Sequence, residues 1–275
     1  MNGLRQAQAE RSHELLIDTH CHLDAAEFGN RQPDIVRDAA AAGVSRLVIP
    51  AVACSNFGAV RELCERFPGC EPAYGIHPMY TDESTADDLD VLRSTLQTKR
   101  AIAVGEIGLD FFIDNHDREK QEFFFVEQLK LAREFDLPVL LHIRRAQDIV
   151  LKFLRQYKVR GGIAHAFSGS RQQADEFIKL GFKLGFGGAM TYSRATRLRK
   201  LAATLPLESI VLETDAPDIP PDFLERGAPN EPKYLPRMAE TLAELRELSL
   251  EEVARRTSEN VLSALPQLDP PGAAR

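Results

Sequence analysis

Seven histidines punctuate the chain, and five of them stand where short apolar runs end. His20 and His22 flank one cysteine in THCHLD, His77 follows EPAYGI, His142 follows PVLL and His165 follows GGIA. Two carboxylates hold matching places, Glu106 in VGEIGLD and Asp215 in LETDAP, while His13 and His116 lie elsewhere. Imidazole nitrogens and carboxylate oxygens suit zinc, manganese, iron, cobalt or nickel. Successive side chains on a strand face opposite ways. His20 and His22 therefore share one face, and Cys21 points to the other as a packing residue. Four histidines and two carboxylates are too many for one tetrahedral ion that keeps a water position. They suffice for two ions bridged by a carboxylate, about 3.5–4 Å apart, which would lower the pKa of a bound water from about 15.7 toward about 7. One strand-end histidine alone is more often a structural residue; the gathering of several is what points to ligation. Asp18 and Asp24 read as capping or loop carboxylates. Arg144 and Arg145 are either phosphate contacts or a solvated pair at a helix start, and DREKQE is a solvated helix face.

Residues spread from position 20 to position 215 meet only if the strands before them end together. Short apolar runs do alternate with longer amphipathic stretches. Strands are predicted at 15–18, 46–52, 71–76, 101–107, 138–141, 162–164, 182–186 and 209–212. Helices are predicted between them at 33–43, 57–67, 85–97, 117–135, 146–156, 172–180 and 196–205, then at 235–248, with a last helix at 251–262 trailing behind. Pro33 suits a first helical turn and Gly43 a stop. The strands are continuous apolar runs, as parallel strands buried on both faces require. Eight strand–helix repeats imply a single-domain α/β fold, the (β/α)8 TIM barrel, whose strand ends share one rim. An open doubly wound sheet would place a Gly-rich phosphate loop after the first strand, where this chain has THCHLD. The proline-rich stretch 216–234 reads as a loop over the barrel mouth. The barrel is expected to span 15–265, with a loosely packed N-terminal extension at 1–14 and a flexible tail at 266–275.

Composition narrows the function. The 275 residues are 44% hydrophobic and 27% charged, with formal net charge -7, an ordinary globular balance. A protein that wraps nucleic acid non-specifically needs basic charge to displace counterions, so a nucleic-acid substrate would be gripped locally by metal and a few basic residues. Cys21, Cys54, Cys64 and Cys70 fit neither a zinc ribbon nor a disulfide framework and read as reduced thiols of a cytoplasmic protein. The polar N-terminal stretch MNGLRQAQAERSHE is unlike a signal peptide, no run approaches the roughly 18 apolar residues of a membrane span, and no obligate protein partner is evident.

At these residues the sequence resembles the TatD family of metal-dependent deoxyribonucleases. The matching blocks are IDTHCHLD, YGIHP, VGEIGLD with REKQ downstream, LPVLLH, HAFSGS, LLETDAP and NEP. They stand in family order and cover nearly the whole chain. The resemblance implies that His20, His22 and Asp215 hold one divalent ion, that His142 and His165 hold a second, and that Glu106 bridges them. The ions would be zinc, manganese, magnesium, nickel or cobalt. It also implies that His77 sits beside the metals and contacts substrate, and that the activity is hydrolysis of DNA phosphodiesters, often exonucleolytic. Asp215 and Glu106 would then be the catalytic carboxylates, with His77, Arg144 and Ser168 positioning the phosphate.

Two departures remove positive charge near that phosphate. After GLD the chain reads FFID where many members carry an aromatic–arginine pair, and before NEP it reads RGAP where many carry RGKR. One rival function is a small-molecule amidohydrolase or lactonase, or another phosphoesterase, with the same binuclear site. Many barrel amidases bridge their metals with a carboxylated lysine from strand four, yet AIAVGEIGLD contains no lysine. The other rival is a non-enzymatic scaffold, which should have lost ligands; all six are present.

Overall fold

The computed structural model describes residues 16–112 and 117–268. The expected N-terminal extension, His13, the first residue of the expected first strand, His116 and positions 269–275 lie outside the described residues. The strands are β1 (Leu16–Asp18), β2 (Val44–Pro50), β3 (Cys70–Tyr74), β4 (Ala103–Asp110), β5 (Val139–Arg144), β6 (Gly162–Ala164), β7 (Phe182–Phe186) and β8 (Ile210–Leu212). They form one sheet in sequence order, and every neighbouring pair is parallel. Just past the strand ends, β8 meets β1 through Thr19 N–H to Leu212 O (3.2 Å), Asp215 N–H to His20 O (2.8 Å) and the parallel bridge of Cys21 with Ala216. The architecture is the expected (β/α)8 barrel.

The helices are α1 (Gln32–Ala41), α2 (Phe57–Arg66), α3 (Ala86–Thr98), α4 (Arg118–Glu134), α5 (Gln147–Gln156), α6 (Arg171–Lys179), α7 (Thr196–Thr204), α8 (Leu235–Arg246) and α9 (Leu250–Ala264). Three of their starts carry a side-chain cap of the kind that the orphan N–H groups of a first turn need. Ser170 accepts from Gln173 N–H while Gln173 Oε1 accepts from Ser170 N–H, a reciprocal capping box. Asp117 and Ser249 cap α4 and α9 in the simpler way. Pro33 lies in the first turn of α1, and Gly43 ends it with φ 88°.

Alternating strand residues divide the apolar core in two. Leu16, Leu47, Tyr74, Val104, Leu141, Leu184 and Leu212 pack outward against the helices. Ile17, Val48, Ala73, Leu140, Ile163 and Val211 form the inner cluster, with Val261 and Ala264 of α9 and the following Leu265 and Leu268. The end of this last helix packs on the inner residues. The packed chain likewise runs past the expected boundary at 265, because Leu268 is buried.

β4 and β5 each run three residues beyond their expected ends. Within β4 the pairing to β5 shifts register between Val104 and Ile107. Such a shift reverses side-chain parity, so Ile107 and Leu109 continue the outward set begun by Val104 while Glu106 and Asp110 face inward. No helix among the described residues is long and apolar enough to cross a membrane.

Candidate metal centre

The rim gathers the donors. His20, His22, His77, Glu106, His142, His165 and Asp215 lie on or just beyond the C-terminal ends of six strands. All but His20 line one open hollow of about 840 Å³, and His20 packs beneath it with 1% of its surface exposed. Arg144 and Ser168 line the same hollow, as do Pro217, Asp218 and Ile219 of the 216–234 loop. Cys21 packs with the helix-side core, as the His-Cys-His alternation requires.

Glu106 is the centre of the arrangement. Its Oε2 lies 3.1 Å from His20 Nε2 and 3.6 Å from His22 Nε2. Its Oε1 lies 3.0 Å from His142 Nδ1 and 3.7 Å from His77 Nε2. Asp215 Oδ1 is 3.5 Å from His165 Nε2, 3.8 Å from His22 Nε2 and 3.9 Å from His20 Nε2. His20 and His165 stack with centroids 3.6 Å apart. Three overlapping triads have donor atoms within 4.8 Å of one another: His20, His22 and Asp215; His20, Glu106 and His165; His77, Glu106 and His142. Among the described residues no triad contains both His142 and His165.

Two further carboxylates support this set. Asp110 Oδ2 lies 2.9 Å from His142 Nε2, and Glu213 Oε1 lies 3.1 Å from His165 Nδ1 while accepting from Ala166 N–H at 2.6 Å. In each pair one imidazole nitrogen is held by a buried carboxylate and the other faces the hollow, the arrangement that orients metal-ligating histidines. The packing is tight: a Cβ on Gly185 would sit 2.1 Å from Glu213 Oε2. Neither carboxylate was singled out from sequence, although both were in view. Glu213 stands two residues before Asp215 and Asp110 four after Glu106, even spacings that put each pair on one strand face.

The charges are far from their solution behaviour. Burial alone would raise Glu106, but His20 and His77 and the hydrogen bonds from His142 and His20 outweigh it and hold the carboxyl well below the usual range. Asp215 is lowered in the same way, by His165, His20 and His22 against burial. Burial opposes charge on His165, yet Glu213 and Asp215 raise it well above the ordinary imidazole value. His142 is raised by Asp110 and Glu106 against the same opposition. Burial and the neighbouring His165 lower His20, and burial with His142 brings His77 down to about 3. Carboxylates held anionic beside imidazoles pulled both ways describe a hollow short of positive charge. The Nε2 atoms of His20 and His22 lie only 3.3 Å apart, and both rings join Asp215 in a group whose donor atoms fall within 4.8 Å of one another, so they converge on one small space. A divalent cation satisfies both conditions, so the donor set fits metal.

His77 is set apart by its outer nitrogen. Nδ1 accepts from Met79 N–H at 3.1 Å, so the proton of the neutral ring sits on Nε2, which faces the hollow as a donor. Asp18 serves the frame. It accepts from Thr214 N–H (2.9 Å), Thr214 Oγ1–H (2.5 Å) and His20 N–H (3.2 Å), tying β1 to the chain after β8. Burial nevertheless pushes its carboxyl up to about 7. Asp24 accepts from Asn56 Nδ2 at 2.7 Å. The rim backbone is itself unusual, since Arg145, Ala166 and Asp215 all adopt left-handed φ (54°, 43° and 59°). Such conformations cost of order 1–3 kcal/mol and collect at functional sites.

A family model described as TatD related DNase matches residues 17–266. The Escherichia coli protein named an uncharacterized metal-dependent hydrolase, YjjV, is 42% identical over 247 residues, covering 89% of this chain and 95% of that protein. The crystal structure of YjjV superposes with a TM-score of 0.88 at 40% identity, covering 91% of this chain and 98% of that one. A mouse protein with deoxyribonuclease in its name, TATDN3, is 32% identical over 266 residues, covering 92% of this chain and 89% of that protein.

Proposed function

The chain belongs to the TatD related DNase family of metal-dependent hydrolases, and we propose that it cleaves phosphodiester bonds of DNA, removing nucleotides from an end, with two divalent ions held at the barrel rim. The observation that carries this reading is the division of Glu106, whose two oxygens face two different groups of imidazoles. In this reading His20, His22 and Asp215 would hold one ion and His142 and His165 the other, with Glu106 serving both. Asp110 and Glu213 fix the two histidines of the second ion from behind. The name of mouse TATDN3 and the absence of lysine from β4 favour a phosphodiester over an amide. The free thiols of Cys21, Cys54, Cys64 and Cys70 accord with a cytoplasmic setting.

When bound, the ions, of the zinc, manganese, magnesium, nickel or cobalt class, supply an acidified water and positive charge for the phosphoryl group. The chain supplies the rest. Asp215, kept anionic by its imidazole neighbours, takes the water's proton and returns it to the leaving oxygen. His77 donates from Nε2 to a phosphate oxygen, and its neutral state follows from burial. Arg144 and Ser168 hold the phosphate from the rim, so positioning and charge carry the rate.

The test is hydrolysis of end-labelled single- and double-stranded DNA with Mg, Mn or Zn added, beside a lactone substrate and an Asp215→Asn control. Stepwise loss of terminal nucleotides, dependent on metal and abolished in the variant, is the expected result. Lactone turnover without DNA cleavage, or full DNA cleavage by the variant, overturns the reading.

A further inference from the structure

Where β4 and β5 end side by side, the chain leaves an aromatic ring in solvent. Phe112 is 47% exposed, and the guanidinium carbons of Arg144 and Arg145 lie 4.2 and 4.5 Å from its ring centroid. Asp110 arranges the group. Its Oδ1 accepts from Phe112 N–H at 2.9 Å, and its Oδ2 lies 3.3 Å from Arg144 Nη1 and 2.9 Å from His142 Nε2. The same buried carboxylate thus orients a metal-type histidine and an exposed aromatic–cation cluster, which sets the cluster at the edge of the hollow.

Two observations argue against a merely structural contact. A single guanidinium would complete a cation–π pair, worth roughly 0.5–1 kcal/mol at an exposed site; here two converge on one ring. The neighbouring loop after β3 also presents Met79 and Tyr80 at the lip of the hollow, 39% and 42% exposed. In a chain of net charge -7, this arc of the rim is locally aromatic and positive.

We propose that Phe112, Arg144 and Arg145 form a seat for the unpaired nucleobase beside the cleaved phosphate: the guanidinium groups leave the ring for the adjoining phosphate, and the base stacks on the face they vacate. The seat rests on the DNA-hydrolase reading above and adds to it which form of the strand is held. Every base offers a π-face, so stacking of this kind tolerates any sequence but needs a base whose face is free. Inside a duplex those faces are covered, and only a single strand or a frayed end fills the seat.

The chain has no tryptophan, so a Phe112→Trp variant places a single indole in the seat. Its fluorescence is titrated with cleavage-resistant phosphorothioate oligonucleotides: a single strand, the same strand with an abasic end, and a blunt duplex. Strong quenching by the intact single strand, with little by the abasic strand or the duplex, is expected. In parallel, Phe112→Ala should raise KM for an ordinary single strand by roughly 5- to 100-fold, in line with base–aromatic stacking energies, and reduce the preference for intact over abasic ends toward one. Equal quenching by intact and abasic strands, or an unchanged preference in Phe112→Ala, overturns the seat. The two readings fail separately. Base-dependent quenching without DNA cleavage by the native protein keeps the seat and sinks the hydrolytic function, whereas cleavage with base-independent quenching does the reverse.

Discussion

At one end of the barrel Ile17, Val48, Ala73, Leu140, Ile163 and Val211 close on the end of α9. Toward the other end β1, β3, β4, β5, β6 and β8, or the chain just past them, carry His20, His77, Glu106, His142, His165 and Asp215. The floor is apolar and close-packed, and its residues satisfy one another. The rim is crowded with imidazoles and carboxylates aimed into one hollow, and four of its non-glycine residues, Arg145, Ala166, Asp215 and Ile219, sit at left-handed φ. The floor lowers the free energy of the fold, whereas the rim raises it locally and keeps its donors aimed at a common point.

That contrast is broken most severely by one carboxylate. Asp215→Asn should cut kcat by roughly 10²- to 10⁴-fold, the range for a lost acid–base group, with an unaltered circular dichroism spectrum and melting curve. Leu265→Ala should do the opposite. It should cost about 2–5 kcal/mol of stability, read by urea unfolding, while the molecules still folded keep their turnover. Were the floor variant to lose turnover at full stability, the division between the two ends would be wrong.

Weaker changes sharpen the picture within the rim. Glu213→Gln removes the charge behind His165, and Gly185→Ala drives a methyl group into the same carboxylate. Each should weaken metal binding by about 10- to 100-fold, as loss of an outer partner typically does, measured by calorimetric titration of Mn. Asp110→Asn should weaken it similarly through His142. Smaller still is His77. His77→Ala should raise KM for a phosphodiester by about 10-fold, one hydrogen bond to a charged group, with the metal content unchanged. His77→Gln, which keeps a donor, should recover part of that loss. Metal loss in His77→Ala would move this residue from substrate contact to ligand.

Much of the rim was legible in the sequence because a barrel turns strand order into proximity. Each of the five strand-end histidines, Glu106 and Asp215 needed only the end of an apolar run to be placed. Asp110 and Glu213 are not placed by that rule, since Asp110 stands past the apolar run and Glu213 lies two residues before the stronger candidate Asp215. The run AIAVGEI is interrupted at Glu106 and followed by Gly108, so β4 reads as finished at Ile107, three residues early. The register shift that turns Glu106 and Asp110 inward is a property of pairing with β5, which no local pattern encodes. The Phe112 cluster was hidden for a similar reason, since Phe112 and Arg144 are more than thirty positions apart and become neighbours only when β4 pairs with β5. The floor was not legible in the sequence, because the amphipathic pattern of α9 reveals a buried face without its partner.

The central claim is that the rim holds two divalent ions about Glu106, and anomalous diffraction from crystals equilibrated with manganese tests it most directly. The account predicts two peaks, one beside His20, His22 and Asp215, the other beside His142 and His165, with Glu106 between them. A rim without anomalous density at saturating manganese, or peaks only elsewhere on the protein, would contradict it.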